Sequence, residues 1–114
     1  MKTIREMIAE RQVEIGKGDL QLGHAAELLN ELSALLGNIN DEIRRADNKY
    51  AKILLEWLDI EKKANRAKIK SEITPEYEAR QSARNTKELT LELIRSLKYY
   101  IKAKSDEYKV SGNM

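Results

Sequence analysis

The sequence predicts an all-α fold dominated by a long antiparallel helical hairpin, coiled-coil-like in its packing, with a short N-terminal helix. Apolar residues recur every three or four positions from Leu29 to Ala67, which is the spacing of one face of a helix. A turn signal, SEITPEYEA, then separates this segment from a second amphipathic segment of similar length. Charged residues make up 35% of the 114-residue chain, a balance that suits long solvated helices better than a thick globular core.

The first helix is predicted over residues 3–15. Thr3 and Glu6 have the spacing of a capping box, in which the hydroxyl and the carboxylate each accept a hydrogen bond from an otherwise unpaired backbone amide. The sequence GKGD then ends the helix, because Gly16 or Gly18 can adopt the left-handed conformation of a helix C-cap.

A long helix is predicted over residues 19–71, with Asp19 as its N-cap. Its apolar spacing holds for about six heptads, more than the three or four that indicate a coiled coil. The residues at 37–40 leave two alternatives open. A continuous helix, weakened or bent there, is favoured because a loop would ordinarily reset the phase of the pattern. The other alternative is a break in which Gly37 is the C-cap and Asn40 the next N-cap.

The last helix is predicted over residues 75–108. Thr74 is expected to be its N-cap, and Pro75 lies at the first helical position, where the missing amide N–H costs nothing. A tight turn between two matched amphipathic helices predicts an antiparallel hairpin. Residues 109–114 are expected to fray, and the whole of residues 1–114 to form a single helical domain.

The residue types predict neither catalysis nor metal or cofactor binding. There is no cysteine, and His24 is the only histidine, so disulfides, thiolate metal sites and histidine-based dyads are excluded. His24 and Glu27 have the spacing of half a di-iron helix, but the other ligand sets are missing. GKGD lacks the spacing of a phosphate-binding loop. We therefore expect a protein that is not an enzyme.

No segment of the sequence predicts contact with a membrane. The longest apolar runs fall far short of the roughly 18 residues that a transmembrane helix needs. The first residues, MKTIREMIAERQVEIG, alternate charged and apolar side chains and lack the continuous apolar core of a signal peptide. A soluble, cytoplasmic protein is expected.

Two basic surfaces are candidates for DNA binding. Basic side chains neutralise phosphates, and an aromatic ring among them can stack on a base. Neither surface has sequence-reading features, so DNA recognition is expected to be non-specific, and ordinary solvated surface is the alternative for both. The first surface flanks the turn between the long helices and comprises Lys62, Lys63, Arg66, Lys68, Lys70, Arg80 and Arg84. The second lies on the last helix and comprises Arg95, Lys98, Tyr99 and Lys102.

Apolar side chains away from the main seam predict a further contact, because contiguous exposed leucines usually mark an interface. A homo-oligomer, most simply a dimer, is expected. The same side chains leave open a pure protein-interaction module without DNA binding, such as an inhibitor of a host defence enzyme or a chaperone-like adaptor. The residues concerned are Leu28, Leu35, Leu54, Leu55, Trp57 and Leu58.

Three stretches, ELSALLGNINDEIRRADNKYAKILLE, KANRAKIKSEITPEYEAR and TKELTLELIRSLKYYIKAKSDEYK, resemble a family of small helical phage and prophage proteins. The resemblance covers the chain from about Ile4 to Lys109. Such proteins are encoded among early recombination and replication genes. The resemblance therefore implies a non-enzymatic accessory of DNA metabolism, or a counter-defence protein with a host or phage protein partner. It assigns no site residues, since the family has no catalytic motif.

Overall fold

The computed structural model describes the backbone of residues 1–112 and the side chains of residues 1–108. Over these residues the chain is helical and contains no strand, which confirms the predicted all-α fold. None of the helices described is long and apolar enough to cross a membrane. The four helices are α1 (Ile4–Gly16), α2 (Leu22–Glu61), α3 (Ala64–Ser71) and α4 (Pro75–Gly112).

The chain divides into two compact units, where the sequence predicts one domain. The first unit contains α1, α2 as far as Gly37, and α4 from Glu88 onward; the second is Asn38–Lys87. The core of the first unit is mostly large and aliphatic, and its buried apolar members are Ile8, Ala25, Leu28, Leu32, Leu93, Ile94 and Leu97. Small residues are prominent in the second unit, where Ala46, Ala67, Ser71 and Ala83 are buried.

In the first unit, α1 lies antiparallel to the start of α2. Arg11 contacts Glu31 at 2.5 Å, and Glu14 contacts His24 at 3.4 Å. A residue later in α1 therefore contacts a residue earlier in α2, as antiparallel helices require. The hydroxyl of Tyr100 donates a hydrogen bond to the carbonyl of residue 20, which ties α4 to the α1–α2 connection.

The ends of α1 agree closely with the prediction, but the start of α2 does not. Thr3 caps α1, since its hydroxyl accepts a hydrogen bond from the amide of Glu6 at 3.1 Å. Gly18 has a φ of +74° and Asp19 a φ of +52°, so both adopt the left-handed conformation. The predicted N-cap role of Asp19 is wrong, because α2 begins only at Leu22.

Helix α2 runs without interruption through residues 37–40, which settles the alternative in favour of a continuous helix. Buried Leu32 and Ile39 lie on either side of Gly37. A Cβ atom at Gly37 would meet no other group within 4 Å. The packing of neighbouring apolar side chains therefore outweighs the low helix propensity of this glycine, about 1 kcal/mol relative to alanine.

The prediction that one helix extends to Ser71 is wrong. Helix α2 ends at Glu61, Lys62 takes a left-handed φ of 61°, and Lys63 is extended before α3 begins. Ile60, which the heptad pattern assigns to the buried seam, is 66% exposed. The break lets the short α3 bury Ala67 and Ser71 completely.

In the second unit, the predicted hairpin is present and its helices are antiparallel. Asp47 of α2 pairs with Arg80 and Arg84 of α4, while Tyr50 packs against Tyr77 with ring centroids 5.5 Å apart. The later residue of α2, Tyr50, therefore contacts the earlier residue of α4, Tyr77, as antiparallel helices require. This confirms the long helical hairpin of the prediction.

The turn before α4 forms as predicted. Thr74 caps α4 by accepting a hydrogen bond from the amide of Tyr77 at 3.3 Å, and Pro75 is the first helical residue. Helix α4 continues to Gly112, so fraying from residue 109 is not observed as far as that residue. The end of the predicted tail, residues 113–114, lies outside the described part of the chain.

Candidate nucleic-acid interface

The α2–α3 connection and α3 together form a surface with a single sign of charge. Residues 62–71 contain five basic and no acidic side chains. All five basic residues are exposed. We refer to these five as the α3 basic surface: Lys62, Lys63, Arg66, Lys68 and Lys70.

Three members of the α3 basic surface have no carboxylate partner among the side chains at 1–108: Lys63, Arg66 and Lys68. The other two have weak local contacts. Lys62 lies 3.3 Å from Asp59 in an exposed pair, and the ammonium group of Lys70 lies 6.0 Å from the centre of the Trp57 ring. Exposed pairs of this kind are largely screened by solvent, so most of the positive charge on this surface is available to a ligand.

Arg80 and Arg84, which the sequence analysis grouped with this surface, are instead engaged within the second unit. Both contact the carboxylate of Asp47, at 2.9 and 3.2 Å. The guanidinium of Arg80 also lies 5.0 Å from the centre of the Tyr50 ring. Partial burial opposes the ionisation of Asp47, but the two guanidinium groups outweigh it and hold the pKa of Asp47 below its ordinary value. The charges of both arginines are therefore partly offset.

An open cavity of about 540 Å³ lies beside the α3 basic surface, within the second unit. Lys68 belongs to both features, because it lines the cavity and is a member of the surface. Half-buried Leu54 and Leu58, predicted as oligomer contacts, are on the cavity wall. Tyr50 and Tyr77 supply aromatic rings to the same wall.

A hydrogen-bond chain fixes Tyr50 in this wall. The hydroxyl of Ser71 donates to the carbonyl of Lys68 at 2.8 Å, and the hydroxyls of Tyr50 and Ser71 lie 3.0 Å apart. A hydroxyl has one hydrogen to donate, so Tyr50 is the donor to Ser71. The hydroxyl of Tyr50 in α2 therefore forms a hydrogen bond that links α2 to α3.

The remaining residues that were predicted to contact a partner differ in how exposed they are. Leu28 is only 1% exposed, so the prediction that it contacts a partner is wrong: it belongs to the core of the first unit. Leu35 and Trp57 are half-buried, whereas Leu55 is 66% exposed. Sequence reasoning missed three exposed apolar side chains that accompany the helix break and the turn after it: Ile60, Ile69 and Ile73.

The second predicted surface lies on α4 in the first unit. Arg95, Lys98 and Lys102 are exposed, and Tyr99 is 78% exposed. Tyr99 also lines an apolar cavity of about 370 Å³, together with Ile15 and Leu20 among others. The four predicted residues are therefore accessible.

His24 is held between two carboxylates. Its Nε2 lies 3.4 Å from Glu14, and its Nδ1 lies 3.7 Å from Glu27. Among the residues that the structure describes, no group of three or more histidine, aspartate or glutamate side chains is arranged to hold a metal ion.

Comparisons of this chain with protein-family models, curated proteins and solved structures found no match. Function therefore has to follow from the charges, contacts and cavities of the chain itself. Among these features, the α3 basic surface is the strongest candidate for a binding site.

Proposed function

We propose that this chain is a non-enzymatic phage accessory protein that binds DNA without sequence preference, through the α3 basic surface. One observation carries the proposal. Residues 62–71 contain no acidic side chain, and Lys63, Arg66 and Lys68 are exposed without a carboxylate partner among the side chains at 1–108.

The dimensions of α3 fit a phosphate backbone. Its 8 residues are about 12 Å long, which equals the axial rise of roughly three to four phosphates along one strand. Lys63, the residue before the helix, and Arg66 and Lys68 within it place three cations over about this length. Each neutralised phosphate releases condensed counterions, and binding therefore weakens as salt concentration rises.

The setting that we propose follows from the phage-protein resemblance: an accessory of DNA metabolism in the cytoplasm. The second surface on α4 offers further phosphate contacts through Arg95, Lys98 and Lys102, with Tyr99 as a stacking ring. Because this surface belongs to the first unit, it can be tested separately from α3.

A second candidate function is favoured by the exposed apolar side chains of the second unit. Leu55, Ile60, Ile69 and Ile73 are each more than 60% exposed. If these side chains form one contiguous patch, the patch is suited to a protein interface, either with a second copy of this chain or with a host or phage protein. This alternative is an adaptor or an inhibitor that binds no DNA.

Fluorescence anisotropy with labelled DNA separates the two functions. The test variant replaces Lys63, Arg66 and Lys68 by Gln and so removes three positive charges from the α3 basic surface. The control variant removes three exposed charges from α2 of the same unit, at Arg45, Lys49 and Lys52. Both variants have the same net charge.

Under the DNA-binding proposal, the test variant loses about tenfold or more in affinity at about 50 mM salt. The slope of log affinity against log salt becomes shallower by about three, one unit for each lost phosphate contact. The control variant retains most of its affinity. Equal losses in the two variants would show that only net charge matters and would contradict the assignment to α3.

A further inference from the structure

The cavity next to the α3 basic surface contains features that phosphate binding alone does not require. Its wall includes the rings of Tyr50 and Tyr77 and the aliphatic side chains of Leu54 and Leu58. Lys68 connects this wall to the α3 basic surface. A phosphate bound by Lys68 would therefore hold its own nucleotide at the mouth of the cavity.

We propose that the cavity accepts an unpaired base of single-stranded DNA, so that the protein prefers single strands to duplex. This inference rests on the proposed DNA binding and specifies its substrate. Bases in a duplex are stacked and paired, and they reach a cavity only after unstacking. Bases of a single strand are free to stack on aromatic side chains, whatever their sequence.

The size and the aromatic walls of the cavity suit a base. A volume of about 540 Å³ lies within the range of about 300–1,000 Å³ that is typical of small-ligand sites. The rings of Tyr50 and Tyr77 are tilted by 53° and are not stacked face to face. The guanidinium of Arg80 lies 5.0 Å from the centre of the Tyr50 ring. Tyr77 is therefore the ring of the wall against which a planar base packs in this proposal.

The polar groups of the wall divide into two sets. Tyr50 donates to Ser71, and Arg80 pairs with Asp47, so these two residues shape the cavity. Lys68 and Glu72 also line it and supply a donor and an acceptor. The edge of every base carries donors, acceptors or both, so this pair tolerates more than one base.

The experiment compares three labelled probes by anisotropy at about 50 mM salt: a single strand of about 16 nucleotides, an abasic strand of equal length, and a duplex. The abasic strand keeps the phosphates and lacks the bases. Two variants alter the cavity without changing charge. Tyr77→Leu removes a ring, and Ala64→Phe fills the space from the exposed Ala64 on the wall. Ala51→Phe is the control, since Ala51 is exposed on α2 and does not line the cavity.

The inference predicts that wild-type protein binds the single strand about tenfold more tightly than the abasic strand or the duplex. Tyr77→Leu and Ala64→Phe each reduce affinity for the single strand by about fivefold or more. Their affinity for the abasic strand is unchanged, and Ala51→Phe behaves as wild type. Because each variant is compared on two strands, a general loss of folded protein would lower both affinities and be recognised.

Two results would overturn the inference, and only the second would also overturn the proposed DNA binding. Equal, salt-dependent affinity for all three probes, unchanged by both cavity variants, would remove the base site and leave the proposed phosphate binding intact. No binding to any probe at the lower salt would remove both the inference and the proposed function.

Discussion

The hydroxyl of Tyr50 in α2 donates a hydrogen bond to the hydroxyl of Ser71, the last residue of α3, at 3.0 Å. Ser71 is fully buried, and its own hydrogen is donated to the carbonyl of Lys68. This contact holds α3 against α2 after the chain departs from the long helix at Lys62. Together with the burial of Ala67, it positions the α3 basic surface.

Replacing Tyr50 by Phe tests this contact. The variant keeps the ring in the wall and removes the donor to Ser71, so we expect the free energy of unfolding to fall by about 1 kcal/mol. Denaturant unfolding measures the change. Tyr99→Phe is the matched control and should have almost no effect, because Tyr99 is 78% exposed. Equal effects of the two substitutions would mean that the Tyr50–Ser71 hydrogen bond does not stabilise the fold.

The helix break at Lys62 predicts that glycine is favourable at this position. Lys62 has a φ of 61°, a left-handed conformation that costs a non-glycine residue about 1 kcal/mol. We expect Lys62→Gly to raise the free energy of unfolding by about 0.5 kcal/mol, because glycine's greater freedom when unfolded cancels part of the gain. Lys63→Gly is the control and should destabilise, since Lys63 is extended with a φ of −124°. If both substitutions destabilised alike, a continuous helix from α2 into α3 would be indicated.

Replacement by alanine is expected to change stability in opposite directions at two glycines, one inside α2 and one before it. Gly37 is inside the helix with space for a Cβ atom, so Gly37→Ala should stabilise by about 0.5–1 kcal/mol. Gly18 has a φ of +74°, so Gly18→Ala should destabilise by about 1 kcal/mol. Thermal or denaturant unfolding of both variants measures this. Destabilisation by Gly37→Ala would argue for a helix break at that position.

The contacts of Asp47 predict a pH dependence of stability. Arg80 and Arg84 hold its folded-state pKa below the ordinary value of 3.8, so its contribution is fully present above that pH. The contribution is lost as the pH falls through the lower, folded-state pKa. The carboxylate is 38% exposed, and screening therefore limits its effect to a modest one.

We expect wild-type protein to be more stable than Asp47→Asn at neutral pH, and this advantage to shrink below about pH 4. Unfolding by urea at several pH values provides the comparison. Asp59→Asn is the control, because Asp59 is 86% exposed and pairs with exposed Lys62. A stability difference between wild type and Asp47→Asn that stayed constant from neutral to acidic pH would be inconsistent with the ion pairs at Asp47.

Local signals in the sequence predicted the starts of α1 and α4. Thr3, Thr74 and Pro75 each have a residue-level role that depends on near neighbours, and each fulfils it. The unbroken apolar spacing also predicted helix through Gly37. In these cases the deciding interactions lie within a few residues of the chain.

The break at Lys62 could not be predicted in the same way. No glycine, proline or asparagine marks residues 61–64, and the heptad phase continues through Ala67. The break is stabilised by tertiary contacts, among them the burial of Ala67 and the hydrogen bond between Ser71 and Tyr50, 21 positions earlier. Such a contact leaves no local trace in the sequence.

The sequence predicted the basic charge of the candidate site, but it could not predict which of its basic residues form ion pairs. Charge density alone identified the α3 basic surface, because five cations without an acid are visible in the sequence. The engagement of Arg80 and Arg84 by Asp47 depends on the register of α2 against α4, across 33 and 37 positions. Only the structure shows which cations remain available to a ligand.

The measurement that tests the central claim most directly is the affinity of the wild-type protein for single-stranded and duplex DNA at about 50 and about 200 mM salt. DNA binding through the α3 basic surface predicts micromolar or tighter binding at the lower salt, a steep loss at the higher salt, and tighter binding of the single strand. Absence of binding at the lower salt would contradict the claim and leave the exposed apolar residues of the second unit as the functional surface.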